Sequence, residues 1–280
     1  MKPIKIALLD LNNQIPNQGI RNLIDLVERF KSNSEREIFL ETFEVRAMRQ
    51  LPSIEDFDIF LSSGGPGSPH PCGEPWEEPY FAFLDAVWNH NQKHKTKKYL
   101  FLICYSFQLA ILHWQLGMIC KRNSYGFGIM PVHKTHKGDK EPLFAYLPDP
   151  FYAVDSRGYQ FIEPNYPHLE ARGIDILALE KIRPHVDFER AVMAARFSPE
   201  IVGTQFHPEA EAKAMIEVLE SDQIRKAMVE SFGQEKLDQT LEQAQDPDKI
   251  KLTQSTILPQ FLRDAIKDLT TRQRESQMES

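Results

Sequence analysis

Only three of the 280 residues are cysteine (Cys72, Cys104 and Cys120), and their spacing forms no disulfide framework. That scarcity speaks for free thiols in a reducing compartment. Long apolar runs are missing too: none approaches the roughly 18 residues at which a membrane helix becomes a candidate. The first apolar stretch, over residues 4–9, is too short and too soon interrupted to be a signal peptide. A cytoplasmic protein is therefore expected, with no membrane association. Clusters of basic residues are absent and the net charge is −7, which argues against nucleic acid as a main partner. There is no internal repeat, no low-complexity tract and no Gly-x-x-x-x-Gly-Lys-Ser/Thr phosphate loop. His133, His136, His168 and His185 lack metal-ligand spacing and read as surface or satisfied core residues. Neither a metal nor a cofactor is expected.

What is present suits a globular core: 41% of the residues are hydrophobic and 10% aromatic. Short apolar runs over 4–9, 39–45, 57–61 and 99–103 alternate with helical patterns, one at Ile20, Leu23, Ile24, Val27 and Phe30 and another over 76–91. Strands alternating with helices predict an α/β domain on a mainly parallel sheet. After a helix over 108–116, strand-like runs at 127–133, 151–154, 176–182, 191–197 and 201–206 follow with little helix between them, so antiparallel pairing is expected there. From residue 210 the chain is helical in character. The proline pairs Asp246-Pro247 and Leu258-Pro259 read as helix starts, proline being favoured at the first helical position.

Three stretches carry chemistry. In Leu102-Ile103-Cys104-Tyr105-Ser106 an apolar run breaks at a cysteine and resumes as a helix. A strand turning abruptly into a helix holds the turn residue proud of the sheet edge, beside helix N–H groups that favour a thiolate. From this stretch alone, a cysteine in an ordinary buried strand fits as well. In Gln205-Phe206-His207-Pro208-Glu209 the spacing of two points His207 and Glu209 the same way on an extended chain, and Pro208 biases His207 toward that geometry. A carboxylate so placed fixes the tautomer of an imidazole. In Ser63-Gly64-Gly65-Pro66-Gly67-Ser68 a tight loop frees backbone N–H groups for an anion. Each stretch ends a predicted strand, where open α/β sheets put their sites.

In that order and spacing, the chain resembles the class I (triad-type) glutamine amidotransferases over roughly residues 4–220. The match lies in Ser63-Gly64-Gly65-Pro66, Ile103-Cys104-Tyr105 with Gln108, and Gln205-Phe206-His207-Pro208-Glu209. Leu61-Ser62-Ser63-Gly64-Gly65-Pro66 looks particularly like the glutaminase domain of GMP synthase. The resemblance implies a flavodoxin-like three-layer open sheet, mostly parallel with some antiparallel strands. It implies a glutaminase: Cys104 as nucleophile, His207 as base and acid, Glu209 orienting His207, and N–H groups of Tyr105 and Gly65 as the oxyanion hole. Gly64 and Gln108 would meet the glutamine substrate. With no synthetase domain in the chain, ammonia would pass to an acceptor on a partner subunit.

The family elbow carries glycine two residues before and two after the nucleophile; here Leu102 and Ser106 stand there. Asp155-Ser156-Arg157-Gly158-Tyr159 is the nearest candidate for a Ser-His-x-Asp segment of many relatives, with Arg157 where histidine is expected. Two other readings stay open: a cysteine hydrolase of γ-glutamyl conjugates, and a non-catalytic module that keeps the fold. The expected division is an amidotransferase domain over 1–220 and a helical extension over 221–280. The apolar stripe of that extension, Phe261, Leu262, Ile266 and Leu269 included, must be covered, by the catalytic domain, in a homodimer or by the ammonia-accepting partner.

Overall fold

The computed structural model describes residues 2–15, 18–184 and 187–278; His185 of the sequence reading lies outside them. Among the described residues nine strands form one sheet in the order β2-β1-β3-β4-β9-β8-β7-β5-β6. Its parallel side comprises β1 (Ile4–Asp10), β2 (Ile38–Glu44), β3 (Ile59–Ser62), β4 (Tyr99–Ile103) and β9 (Ile201–Thr204). Antiparallel pairing joins β9 to β8 (Val192–Ser198), β7 (Asp175–Glu180), β5 (Met118–Lys134) and β6 (Phe151–Ile162). The order β2-β1-β3-β4-β9 is that of a flavodoxin-like sheet, which opens its site at the carboxyl ends of the strands.

Strands β3 and β4 are buried at every position because helices cover both faces. One face packs Leu23, Leu26 and Val27 of α1 (Gln18–Ser32) against Ile6, Leu8, Leu61 and Phe101. The other packs Tyr80, Phe83 and Leu84 of α2 (Glu77–Lys93) and Phe107 of α3 (Tyr105–His113) against Leu9, Phe60 and Leu102. The short α4 (Tyr166–Arg172) precedes β7 and ends on Gly173 at φ 67.

Two strands are longer than their apolar patterns. Strand β5 begins well before residue 127, and β6 runs on past 154, because the two pair from Met118↔Ile162 to Val132↔Phe151 around an irregularity between Lys121 and Gly126. Backbone pairing, not side-chain alternation, makes a strand of the polar residues there.

The C-terminal helices fold back. Helices α5 (Ala212–Glu220), α6 (Asp222–Phe232) and α7 (Gln234–Gln245) cover the antiparallel side through Met215, Leu219, Met228 and Leu237. Helix α8 (Leu252–Met278) joins the same core as β1, β3 and β4, and its Phe261 ring lies 5.2 Å from that of Phe101. The stripe Phe261, Leu262, Ile266 and Leu269 is thus covered within the chain. Asp246-Pro247 does open a helical turn, Asp246 accepting from Asp248 N. Pro259 does not start a helix; it lies inside α8. Its missing N–H falls along an exposed groove that Ser255 and Pro259 line, where the lost hydrogen bond costs least.

Candidate active site

Cys104 stands between β4 and α3 at φ 51, ψ −98. A side-chain-bearing residue held there stores roughly 1–3 kcal/mol of strain, which the surroundings must hold in place. They do so from three sides. Cys104 N–H donates to Thr204 O at 2.7 Å, and Gln108 N–H donates to Cys104 O at 3.0 Å. Ser106 Oγ accepts from Ile103 N–H at 2.8 Å and lies 2.8 Å from Ser62 O, to which it donates. The serine in place of glycine therefore ties the end of β4 to the end of β3.

Leu102 finds its room across the ladder. It pairs with Gly203 of β9, where an added Cβ would come 3.2 Å from Leu102 Cβ and 2.6 Å from Phe107 Cδ2. The glycine that leaves room for Leu102 thus lies on the neighbouring strand.

The glycine loop lies directly alongside. A Cβ on Gly64 would sit 2.9 Å from His207 Cε1 and 3.6 Å from Cys104 Cβ, so only glycine leaves these two side chains their space. A Cβ on Gly65 would sit 2.4 Å from Leu11 O. The first N–H groups of α3, that of Tyr105 among them, have no partner within the helix. The Tyr105 side chain turns away, its hydroxyl donating to Ser68 O at 3.1 Å.

His207 is anchored by its own backbone, N–H to Val154 O at 2.9 Å, so β6 fixes the segment beyond β9. Its Nδ1 lies 2.8 Å from Glu209 Oε1, and Glu209 is 1% exposed. Burial opposes a charge on His207. The Glu209 carboxylate and the Cys104 sulfur outweigh it and hold the imidazole pKa well above its ordinary value.

Cys104, His207, Glu209, Gly64 and Gly65 line one cavity of about 170 Å³, together with Asn12, Tyr125 and Ser156. Gln108 is not among its walls: its Nε2 donates to Tyr159 O at 3.2 Å and to Gln205 Oε1 at 2.8 Å. Gln205 in turn donates from Nε2 to Cys104 Sγ at 3.5 Å. The sulfur also lies 3.8 Å from Ser156 O, and Ser156 Oγ is 2.9 Å from the Tyr125 hydroxyl. The sequence reading gave no role to Gln205 or Tyr125, and held Ser156 only as part of the candidate 155–159 segment. The last two enter through the β5–β6 pairing that residue pattern alone did not reveal.

Arg157 is neither exposed nor in the cavity. It is buried, with Nε on both oxygens of Asp155 at 2.9 and 3.0 Å and Nη2 on Glu180 Oε2 at 2.6 Å. Arg122 Nη1 meets the same Glu180 oxygen at 2.9 Å. These guanidinium groups outweigh burial and lower the Glu180 pKa. Among the described residues no group of three or more His, Cys, Asp or Glu side chains could hold a metal ion, and no helix is long and apolar enough to cross a membrane.

Among curated proteins nothing matches the chain. Solved structures do. A glutamine amidotransferase from Thermotoga maritima superposes with a TM-score of 0.68 at 15% identity, over 95% of this chain and 99% of that one. A glutamine amidotransferase from Methylobacillus flagellatus gives a TM-score of 0.59 at 16% identity, over 96% of both chains. The glutaminase domain of CTPS from Trypanosoma brucei, with acivicin bound, gives 0.53 at 14% identity, over 74% of this chain and 86% of that one. At such identities these likenesses speak for the fold. The family model for glutamine amidotransferase class-I matches residues 22–227, which is most of the chain. The chain belongs to the class I glutamine amidotransferases.

Proposed function

We propose that this protein is a glutaminase that hydrolyses the side-chain amide of glutamine and releases ammonia for an acceptor held by another polypeptide. The observation that carries the reading is the placing of Cys104, strained at the head of α3, beside an imidazole that Glu209 orients at 2.8 Å. In this scheme His207 holds the proton taken from the Cys104 thiol, and the thiolate attacks the amide carbon, forming the S–C bond. The proton then goes to the departing nitrogen as the C–N bond breaks, leaving a glutamyl thioester. Water, deprotonated by His207, cleaves the thioester to glutamate and restores the thiol. The raised His207 pKa suits a group that must first hold this proton. The oxyanion would face the N–H groups of Tyr105 and Gly65, and losing one such donor typically costs about 3 kcal/mol in the barrier. Gly64 keeps the substrate side of the sulfur open. Gln108, whose amide meets Tyr159 O and Gln205, would help to hold the glutamine substrate.

Three free cysteines suit a reducing, cytoplasmic setting. We take residues 1–220 as the catalytic part and 221–280 as an extension that stabilises it. The test is ammonia release from free glutamine, compared with γ-glutamyl peptides. Turnover of glutamine that is lost in Cys104→Ala supports the reading. Exclusive turnover of the peptides would make this a γ-glutamyl hydrolase instead, and no turnover of either would leave a non-catalytic module.

A further inference from the structure

We infer that Gln205 is a positioning residue for the nucleophile: an amide whose N–H face is locked toward the Cys104 sulfur and favours its thiolate. The inference rests on reading Cys104 as the nucleophile.

The argument is one of donors and acceptors. The Tyr159 carbonyl can only accept, so the Gln108 amide must present its NH₂ there, at 3.2 Å. That same NH₂ reaches Gln205 at 2.8 Å, so Gln205 must present its oxygen to Gln108. What Gln205 has left for the sulfur, at 3.5 Å, is its own NH₂. Reversing the Gln205 amide would bring its NH₂ against the Gln108 NH₂. Reversing Gln108 would set its oxygen against the Tyr159 oxygen. The backbone carbonyl thus fixes the sense of both amides, and Gln205 is fully buried, so bulk water offers no alternative partner.

Facing the sulfur with a donor has a definite consequence. A thiolate accepts that N–H and gains from it, while a thiol gains little; the Ser156 carbonyl, 3.8 Å from the sulfur on another side, accepts from the thiol and acts in the opposite sense. Gln205 cannot take the thiol proton, which leaves His207 as its destination. The other titratable side chains lining the same cavity are His207, Glu209 and Tyr125, and the variants below keep all three.

The test follows the rate of Cys104 alkylation by iodoacetamide against pH, in full-length protein carrying Cys72→Ser and Cys120→Ser. Gln205→Leu should raise the midpoint of the rate–pH curve by about one unit. Gln205→Glu, of the same size, sets a carboxylate beside the sulfur and should raise it further. Gln108→Leu frees the Gln205 amide to turn and should raise it by less than Gln205→Leu. A purely structural role would slow alkylation alike at every pH. An unmoved midpoint in Gln205→Glu overturns the inference, even if Gln205→Leu fails to fold. Iodoacetamide needs only the sulfur, so a failure to hydrolyse glutamine would defeat the functional reading and leave this readout intact.

Discussion

Leu102 on β4 stands opposite Gly203 on β9, and their closeness, 3.2 Å from an added Cβ at 203 to Leu102 Cβ, is what lets a leucine occupy the elbow. Gly203→Ala should therefore destabilise the protein by roughly 1–3 kcal/mol, as overpacking does. Placing the glycine on β4 instead, in Leu102→Gly/Gly203→Ala, should cost less than the sum of the single changes, by at least about 0.5 kcal/mol. Rescue stays partial because Phe107 Cδ2 would still be 2.6 Å away. Urea denaturation of the four proteins measures the coupling, and strict additivity would refute it.

Ser106→Ala leaves the buried Ile103 N–H and Ser62 carbonyl without the hydroxyl that joins them. The expected loss is about 1–3 kcal/mol of stability, with a larger loss of activity because the elbow is no longer pinned. Denaturation and turnover measured on the same sample separate the two effects.

The His207 pKa is raised in the folded protein, chiefly by Glu209 and Cys104 working against burial. The sign of its linkage follows. Its stabilisation is fully present below the unfolded imidazole value of about 6.5 and is lost as pH rises through the folded value. Wild type should thus exceed His207→Gln in stability most at low pH, with the gap narrowing toward alkaline pH. Glu209→Gln should bring the His207 titration down, as read by proton NMR of the ring.

How much of this was legible in the residues varies with its cause. The elbow at Cys104 showed because an apolar strand and a helix pattern meet there, and the His207–Glu209 pair because a spacing of two survives in extended chain. Both signals are local. Leu102 looked like a defect in the elbow because its compensation, Gly203, is remote in sequence and meets it only through the β4–β9 pairing. Arg157 was equally opaque: its partner Glu180 lies 23 positions away and is reached through packing. Gln205 carried no pattern of its own, since its role depends on which atom Gln108 turns toward it. Pro259 misled because the preference for a first helical turn is a statistical one, and an exposed groove tolerates the missing N–H.

Helix α8 completes the core, so its removal should resemble the loss of a core element rather than of an appendage. Phe261→Ala is expected to cost about 3–5 kcal/mol, and truncation after Leu219 to abolish cooperative melting. A truncated chain that stays folded and active, where the full chain is a dimer, would place α8 at an interface instead.

The most direct measurement is mass spectrometry of the protein after treatment with acivicin, the compound held by the Trypanosoma brucei glutaminase domain. One adduct per chain on Cys104, formed more slowly when glutamine is present and missing in His207→Ala, is the expected result. Labelling of Cys72 or Cys120 as fast as Cys104, or an unmodified Cys104 in folded protein, would contradict the assignment of this site.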